Sequence, residues 1–119
     1  MTIGARSTVL RRGDVVLIPF PYAELTATKT RPAVIISSRG FMAAEGRITV
    51  AGITSNVAGH RNATSYELLD WAGAGSKKPS AVTSWLATLS ASLVQLKIGR
   101  LTAQDLGEVE KRLRIALDL

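Results

Sequence analysis

Short apolar runs, each followed by a polar stretch, set the pattern of this chain. The longest uninterrupted runs have about four residues and are rich in valine and isoleucine, which favours buried strands over helices. Residues 48, 50, 52 and 54 alternate with their neighbours and therefore share one face of a strand. The pattern predicts six strands, at residues 14–20, 33–37, 47–54, 64–69, 81–89 and 94–99.

The last part of the chain changes to a helical period. Leu106, Val109 and Leu113 recur at helical spacing, and Thr102 is a suitable N-cap with Asp105 in the first turn. We therefore predict an amphipathic helix after residue 102. The remaining segments are predicted to be a polar loop at 22–30, a short helical turn at 38–46, and a turn or a mobile connection at 71–79.

Strands joined by short loops and followed by one helix are typical of a small, curled antiparallel barrel with a helix packed on it. No strand–helix–strand unit is visible, which argues against a doubly wound parallel sheet. The length of 119 residues suits one compact domain. We therefore expect a mainly β fold in which residues 1–119 form a single domain.

Composition and charge limit the classes of function. The chain has no cysteine, one histidine and nine scattered carboxylates, so we expect no disulfide, no metal centre and no cofactor. The formal net charge of +6 favours a polyanionic partner, above all nucleic acid, although a basic surface without such a partner is the alternative. No signal sequence or membrane-spanning stretch is predicted, so we expect a cytoplasmic protein without a membrane partner.

The familiar catalytic arrangements are not visible in the sequence. The glycines at 73 and 75 precede no predicted helix, and no serine has a nucleophile-elbow pattern around it. Arg31 and the pair Thr54-Ser55 remain, at predicted strand ends, where a rigid scaffold positions functional groups. A fixed guanidinium can bind two phosphoryl oxygens and a threonine hydroxyl a third, while RNA supplies its own 2′-OH nucleophile.

Each of these residues also has an ordinary structural explanation. Arg31 could form a surface ion pair with Glu24, and Thr54 could be a plain strand residue. His60 could be an exposed loop residue or a base that works near neutral pH.

The tryptophans and a lysine pair allow similar alternatives. Trp71 and Trp85 could pack in the core or in a dimer interface, or they could stack on bases. Lys77-Lys78 could be a solvated turn or could steer RNA.

Four short segments carry a resemblance to a known family. They are Gly13-Asp14-Val15-Val16, Lys29-Thr30-Arg31-Pro32-Ala33-Val34-Ile35, Ile53-Thr54-Ser55 and Leu96-Lys97-Ile98-Gly99-Arg100-Leu101-Thr102. In order and spacing they resemble the MazF/PemK family of toxin ribonucleases, over almost the whole chain. The resemblance implies an SH3-like barrel of the CcdB/MazF type, a homodimer, and a metal-independent endoribonuclease that cleaves single-stranded RNA, often mRNA, and is blocked by a cognate antitoxin.

By the same resemblance, Arg31 and Thr54 take the places of the family's catalytic arginine and threonine. The residues expected to bind substrate are Ser55, Lys29, His60, Arg61 and Lys77. The segment 84–92 carries no charge, although family members often have acidic or basic residues there. Two other functions stay open: a non-enzymatic toxin on the same barrel, like the gyrase-directed CcdB relatives, and an SH3-like module that binds peptide or nucleic acid.

Overall fold

The computed structural model describes residues 9–19 and 29–119. Within them lie the strands β1 (Asp14–Pro19), β2 (Thr30–Ile35), β3 (Arg47–Thr54), β4 (Tyr66–Glu67), β5 (Ala81–Ser90) and β6 (Leu96–Arg100), and the helices α1 (Arg39–Glu45) and α2 (Ala103–Leu117). Short 3₁₀ turns lie at Ala58–His60 and Ala91–Leu93. Phe20, Glu24 and the predicted loop up to residue 28 lie outside the described residues.

The strands form one antiparallel sheet in the order β4-β5-β3-β2-β1-β6. The sheet curls into a half-barrel, and α2 follows β6. The predicted mainly β fold, a small antiparallel barrel with a C-terminal helix, is therefore confirmed. Within the described residues, β4 and β6 stand at the two ends of this order and do not pair with each other.

Apolar side chains cover both faces of the sheet because successive strand residues point to opposite sides. On one face, Val15, Val34 and Ala51 pack against Val109 and Leu113 of α2. The other layer includes Val16, Ile18, Ala33, Ile35, Ile48 and Val50. A slip of one residue in β1 or β2 would exchange these two sets, and because their side chains differ in volume the close packing of each layer favours the observed register.

Side-chain caps fix the ends of the helices. The Ser38 hydroxyl accepts the N–H of Phe41 at 3.0 Å, and Gly46 ends α1 with a φ of +66°. The Thr102 hydroxyl accepts the N–H of Asp105 at 3.0 Å at the start of α2. The predicted N-cap at Thr102 is thus confirmed, and the short turn predicted at 38–46 contains a helix of seven residues.

Some strand bounds differ from the predicted ones because of pairing that hydropathy does not reveal. β2 begins three residues early, since Arg31 pairs with Ile18 and Thr30 with Pro19. β4 contains only two residues. β6 begins after a 3₁₀ turn, in which the N–H of Val94 donates to the carbonyl of Ala91.

A fully buried carboxylate, Asp14, ties β1 to β6. It accepts the backbone N–H of Arg11 at 2.8 Å and the Arg100 guanidinium at 2.7 Å, and the Lys97 ammonium lies 3.3 Å away. A buried charge is tolerated only when it is paired and hydrogen-bonded in this way. Asp14 therefore links β1 and β6, which are neighbours in the sheet although they are the first and last described strands in chain order.

A second buried carboxylate, Asp105, ties α2 to the segment after β4. It accepts the Tyr66 hydroxyl at 2.8 Å and the backbone N–H groups of Leu69 and Asp70 at 3.2 and 3.0 Å. Burial, and after it the hydrogen bond to the Asp105 carboxylate, raises the pKa of Tyr66 to about 12. Asp105 was expected only to favour the first turn of the helix, but it also holds the helix to the sheet.

Candidate active site

A pocket of about 750 Å³ opens at the end of the sheet where β2 begins and β3 ends. Pockets that enclose small ligands have volumes of roughly 300–1,000 Å³. The walls come from β1, β2, β3, β5 and β6 and from the segment before β5. The lining residues are Leu17, Arg31, Pro32, Ile53, Thr54, Ser55, Gly75, Ser76, Lys77, Lys78, Ser80, Trp85, Leu96 and Ile98.

Both predicted catalytic residues, Arg31 and Thr54, lie in this pocket. β2 and β3 pair with Ala33 opposite Gly52 and Val34 opposite Ala51. The paired part of the two strands ends at Ala33 and Gly52, and Arg31 and Thr54 lie two residues beyond it, one on each strand. Both residues line the same pocket at this end of the sheet, so one bound molecule can contact the guanidinium and the hydroxyl together.

The Thr54 hydroxyl is held by the turn that follows β3. Its oxygen accepts the backbone N–H of Asn56 at 3.1 Å, a local bond typical of threonine in turns. That bond uses a lone pair of the oxygen and not the hydroxyl proton. Thr54 can therefore donate its proton to an oxygen of a bound molecule.

The charged groups that line the pocket are all cationic among the described residues. Lys77 and Lys78 join Arg31 in the lining, which contains no aspartate or glutamate. Arginine binds oxyanions with a planar fork of donors, and lysine adds a compact point charge. The pocket is therefore suited to an anion with several oxygens, such as a phosphate diester.

The segment before β5 is a turn packed against β6, and it delivers the two lysines. Ala74 is fully buried, and the carbonyl of Gly73 accepts the N–H of Arg100 at 3.1 Å. Gly75 has a φ of +91°, and a Cβ there would lie 2.4 Å from the carbonyl oxygen of Ile98. Of the two predictions for 71–79, a turn or a mobile connection, the structure has the turn.

Four of the seven predicted site residues line the pocket, and the other three lie outside its lining. The four are Arg31, Thr54, Ser55 and Lys77.

The other three predicted site residues have different surroundings. His60 packs edge-on against Trp85, with ring centroids 5.0 Å apart and an interplanar angle of 77°. Arg61 faces Glu67 across 3.7 Å on the exposed surface. Lys29 is exposed just before β2. His60 thus reaches the pocket only through Trp85.

Groups that could hold a metal ion are not found in the described part of the chain, where no three His, Asp or Glu side chains cluster. The helices of that part are too short or too polar to cross a membrane. The polar groups that the pocket itself offers include guanidinium, ammonium and hydroxyl groups.

Comparison with protein families decides the identity of the fold. The profile of the PemK-like, MazF-like toxins of type II toxin–antitoxin systems matches residues 11–117. The chain belongs to this family. Comparison with curated protein sequences gives no match.

Solved structures of MazF-like toxins share the fold. The Mycobacterium tuberculosis toxin MazF-mt6 superposes with a TM-score of 0.73 and 23% identity, over 89% of this chain and 97% of that one. An endoribonuclease from a mycobacterial species, solved with its cognate antitoxin, gives a TM-score of 0.71 and 18% identity over 92% and 96%. A MazE–MazF complex from Deinococcus radiodurans gives 0.70 and 18% over 92% and 96%.

Four polar or aromatic side chains in the pocket lining of this MazF-like chain were not predicted to be site residues. Ser76 and Ser80 are small polar residues in a turn, and no sequence signal distinguishes them. Lys78 was considered only together with Lys77 as a solvated turn or a steering pair. Trp85 is a candidate for base stacking from the sequence, and its position in the uncharged strand segment 84–92 is the feature that could have identified it as a site residue.

Proposed function

We propose that this MazF/PemK-like toxin is an endoribonuclease that cleaves single-stranded RNA without a metal ion. The observation that carries the proposal is that Arg31 and Thr54 line one pocket together with two lysines. Membership of a toxin family supports it, as do relatives of the same fold described as endoribonucleases. RNA suits this reaction because each of its internal phosphates has a 2′-OH beside it that can act as the nucleophile.

In the proposed reaction the 2′-oxygen bonds to phosphorus and its proton passes to water, while the bond from phosphorus to the 5′-oxygen breaks and that oxygen takes a proton from water. The products are a 2′,3′-cyclic phosphate and a 5′-OH. Negative charge grows on the phosphoryl oxygens in the transition state. Arg31 binds two of these oxygens and the Thr54 hydroxyl donates to an oxygen, which lowers the energy of that state. An arginine stays protonated at neutral pH, so Arg31 acts as an electrostatic stabiliser and not as the base.

The remaining predicted residues are proposed to bind RNA around the scissile phosphate. Lys77 and Ser55 face it within the pocket. Lys29 and Arg61 neutralise phosphates on the exposed surface, where each contact adds affinity that falls with salt. His60 contributes to RNA binding indirectly, through its contact with the ring of Trp85.

Arg31→Ala tests the assignment. Removing one preorganised stabilising contact costs about 3–4 kcal/mol, or two to three decades in rate. The matched control is Arg47→Ala, which removes the same charge from the other end of β3, roughly 23 Å from Thr54 at about 3.3 Å per residue. Thr54→Ala should lose less, about 1 kcal/mol for a neutral donor.

RNA cleavage is measured in EDTA with purified protein, and product ends are analysed. We expect 2′,3′-cyclic phosphate and 5′-OH ends, and no cleavage of an oligonucleotide with 2′-deoxyribose at the scissile position. An Arg31→Ala variant that cuts as fast as the wild type would refute the site. Cleavage of the 2′-deoxy substrate would show that water or a side chain is the nucleophile. A wild type that cuts no RNA would favour the gyrase-directed or binding-module alternatives.

A cognate antitoxin is proposed as the protein partner. Relatives of the same fold have been solved with their antitoxins, and a cationic pocket suits an acidic segment that folds on binding. The antitoxin should compete with RNA, and raised salt should weaken the electrostatic part of its binding. Equal binding to wild type and Arg31→Ala, with RNA still entering the pocket, would refute this blocking arrangement.

The assembly is proposed to be a homodimer of single-domain chains that acts in the cytoplasm, where mRNA is available. The family profile covers residues 11–117 without interruption, which supports one domain. A symmetric dimer would bury exposed apolar side chains of α2 such as Ile115 and Leu117. Sedimentation that shows only a 12.7 kDa monomer at micromolar concentration would contradict the dimer.

A further inference from the structure

Trp85 is a large aromatic residue that remains 52% exposed at the wall of the pocket. The same pocket holds Arg31 and the two lysines. One cavity therefore offers both phosphate-binding groups and an aromatic ring. Nucleotides combine an anionic group with a planar apolar one, and their bases stack on exposed aromatic rings.

A bulge in β5 sets the position of this ring. β3 and β5 pair with Ala51 opposite Leu86 and then with Ile53 opposite Val82, so extra residues of β5 lie between these pairs. Thr83 fills the irregularity: its hydroxyl donates to the carbonyl of Gly52 at 2.9 Å and accepts the N–H of Trp85 at 3.2 Å. Bulges next to functional sites commonly redirect a side chain.

His60 supports the ring from the loop that follows Thr54. The edge-on contact between His60 and Trp85 has the spacing of a favourable aromatic pair, 5.0 Å between centroids. Asn56 links this loop to β3, because its N–H donates to the Thr54 hydroxyl and its side-chain oxygen accepts the N–H of Gly59 at 3.2 Å. The aromatic pair and the proposed catalytic threonine are therefore held by one local structure.

From this arrangement we infer that Trp85, supported by His60, is a stacking platform for a nucleobase adjacent to the phosphate bound at Arg31. The inference rests on the proposed function, because it assumes that RNA occupies the pocket. Trp85 acts as a specificity-determining residue: larger purine faces stack better than pyrimidines, so the neighbouring position of the RNA should prefer a purine. His60 is a positioning residue that acts through the tryptophan ring.

The test measures Kd for a single-stranded RNA with 2′-deoxyribose at the scissile position, using wild type, Trp85→Leu and Trp85→Phe. Loss of a stacked base costs about 1–3 kcal/mol, so Trp85→Leu should weaken binding roughly 5- to 150-fold, and Trp85→Phe should retain most of the affinity. Leu93→Ala is the control, because Leu93 is an apolar side chain at 45% exposure that lies outside the lining of the pocket. That variant should change Kd less than about 3-fold.

Abasic substitutions beside the scissile phosphate make the test specific. At the stacked position, the abasic RNA and Trp85→Leu should each weaken binding, and together they should weaken it no more than either alone. His60→Ala should show part of the loss, and His60→Phe should restore it. If Trp85→Leu and an abasic substitution weaken binding by factors that multiply at every position of the RNA, the inference is wrong.

Two further outcomes separate this inference from the proposed function. If Arg31→Ala abolishes cleavage while Trp85→Leu leaves both Kd and base preference unchanged, the platform is wrong and the nuclease stands. If the wild type cuts no RNA but shows the coupled loss with Trp85→Leu, the platform stands and the nuclease is wrong. A Trp85→Leu variant that dissociates a dimer without altering Kd would assign the ring to subunit packing and overturn the inference.

Discussion

Gly99→Ala probes the contact between β6 and the turn that carries the pocket lysines. A Cβ on Gly99 would lie 2.4 Å from the carbonyl carbon of Ala74 and 2.6 Å from the carbonyl oxygens of Ala74 and Gly73. These distances are far below van der Waals contact, and all three atoms are backbone. No change of rotamer can relieve them, so the turn must move away from the strand.

The expected cost follows from these contacts. Overpacking a well-packed site costs about 1–3 kcal/mol, and a clash with backbone alone should reach the upper end. Moving the turn also strains the hydrogen bond from the N–H of Arg100 to Gly73, which contributes about 0.5–1.5 kcal/mol. We therefore expect Gly99→Ala to lower the free energy of unfolding by about 3–4 kcal/mol, a large part of the roughly 5–15 kcal/mol usual for a domain.

Gly107→Ala is the control for the same chemical change. Gly107 lies inside α2, and a Cβ there would meet nothing within 4 Å. Alanine should stabilise this helical position by about 0.8–1.0 kcal/mol. Urea unfolding followed by circular dichroism measures both variants, and the midpoints should shift in opposite directions. Equal midpoints for the two variants would refute the packing of the turn against β6.

Three further predictions concern charged and titratable groups. The pKa of Tyr66 is about 12 in the folded protein and 10.0 without the burial and hydrogen bond, so the unfolded chain binds fewer protons between those pH values. Urea unfolding should therefore show a free energy of unfolding that falls as the pH rises above about 10. The fall should be smaller in Tyr66→Phe, which has no hydroxyl to titrate. Asp105→Ala leaves two backbone donors without an acceptor and should destabilise by about 2–6 kcal/mol in thermal or urea unfolding, whereas Asp105→Asn should cost less; equal losses would contradict this. Replacing both Lys77 and Lys78 by alanine should reduce the slope of log K against log salt for single-stranded RNA by about 1.4, at about 0.7 per phosphate. Lys111→Ala is the control and should leave the slope unchanged. An unchanged slope for the double variant would show that the phosphates bind elsewhere.

The hydrophobic pattern was enough to predict the positions of the strands that are buried on both faces. β3 has the predicted bounds, and buried apolar residues occur along its length at 48, 50, 51 and 53. Thr102 was found because its cap is a local interaction between residues three apart. The start of β2 was missed because Thr30 and Arg31 are polar and exposed, and only their pairing with β1 makes them strand residues.

The candidate site was partly predictable for the same reason. Arg31 and Thr54 lie in short segments that resemble a family, and the ends of the neighbouring strands β2 and β3 bring them to one pocket. The role of Trp85 depends on the bulge that Thr83 stabilises, and that irregularity has no signature in the local sequence. Likewise the turn at Gly75 contacts a strand more than twenty residues later, which a reading of nearby residues could not reveal.

The contact between the turn and β6 also bears on when the protein becomes active during its synthesis. Leu96 and Ile98 form part of the pocket wall, and β6 is translated after every other strand of the described sheet. A nascent chain that already displays Arg31 and Thr54 still lacks the wall and the support that position the lysines. Under the proposed function, the ribosome therefore translates the coding sequence through β6 before the product has a complete pocket in which to cleave RNA.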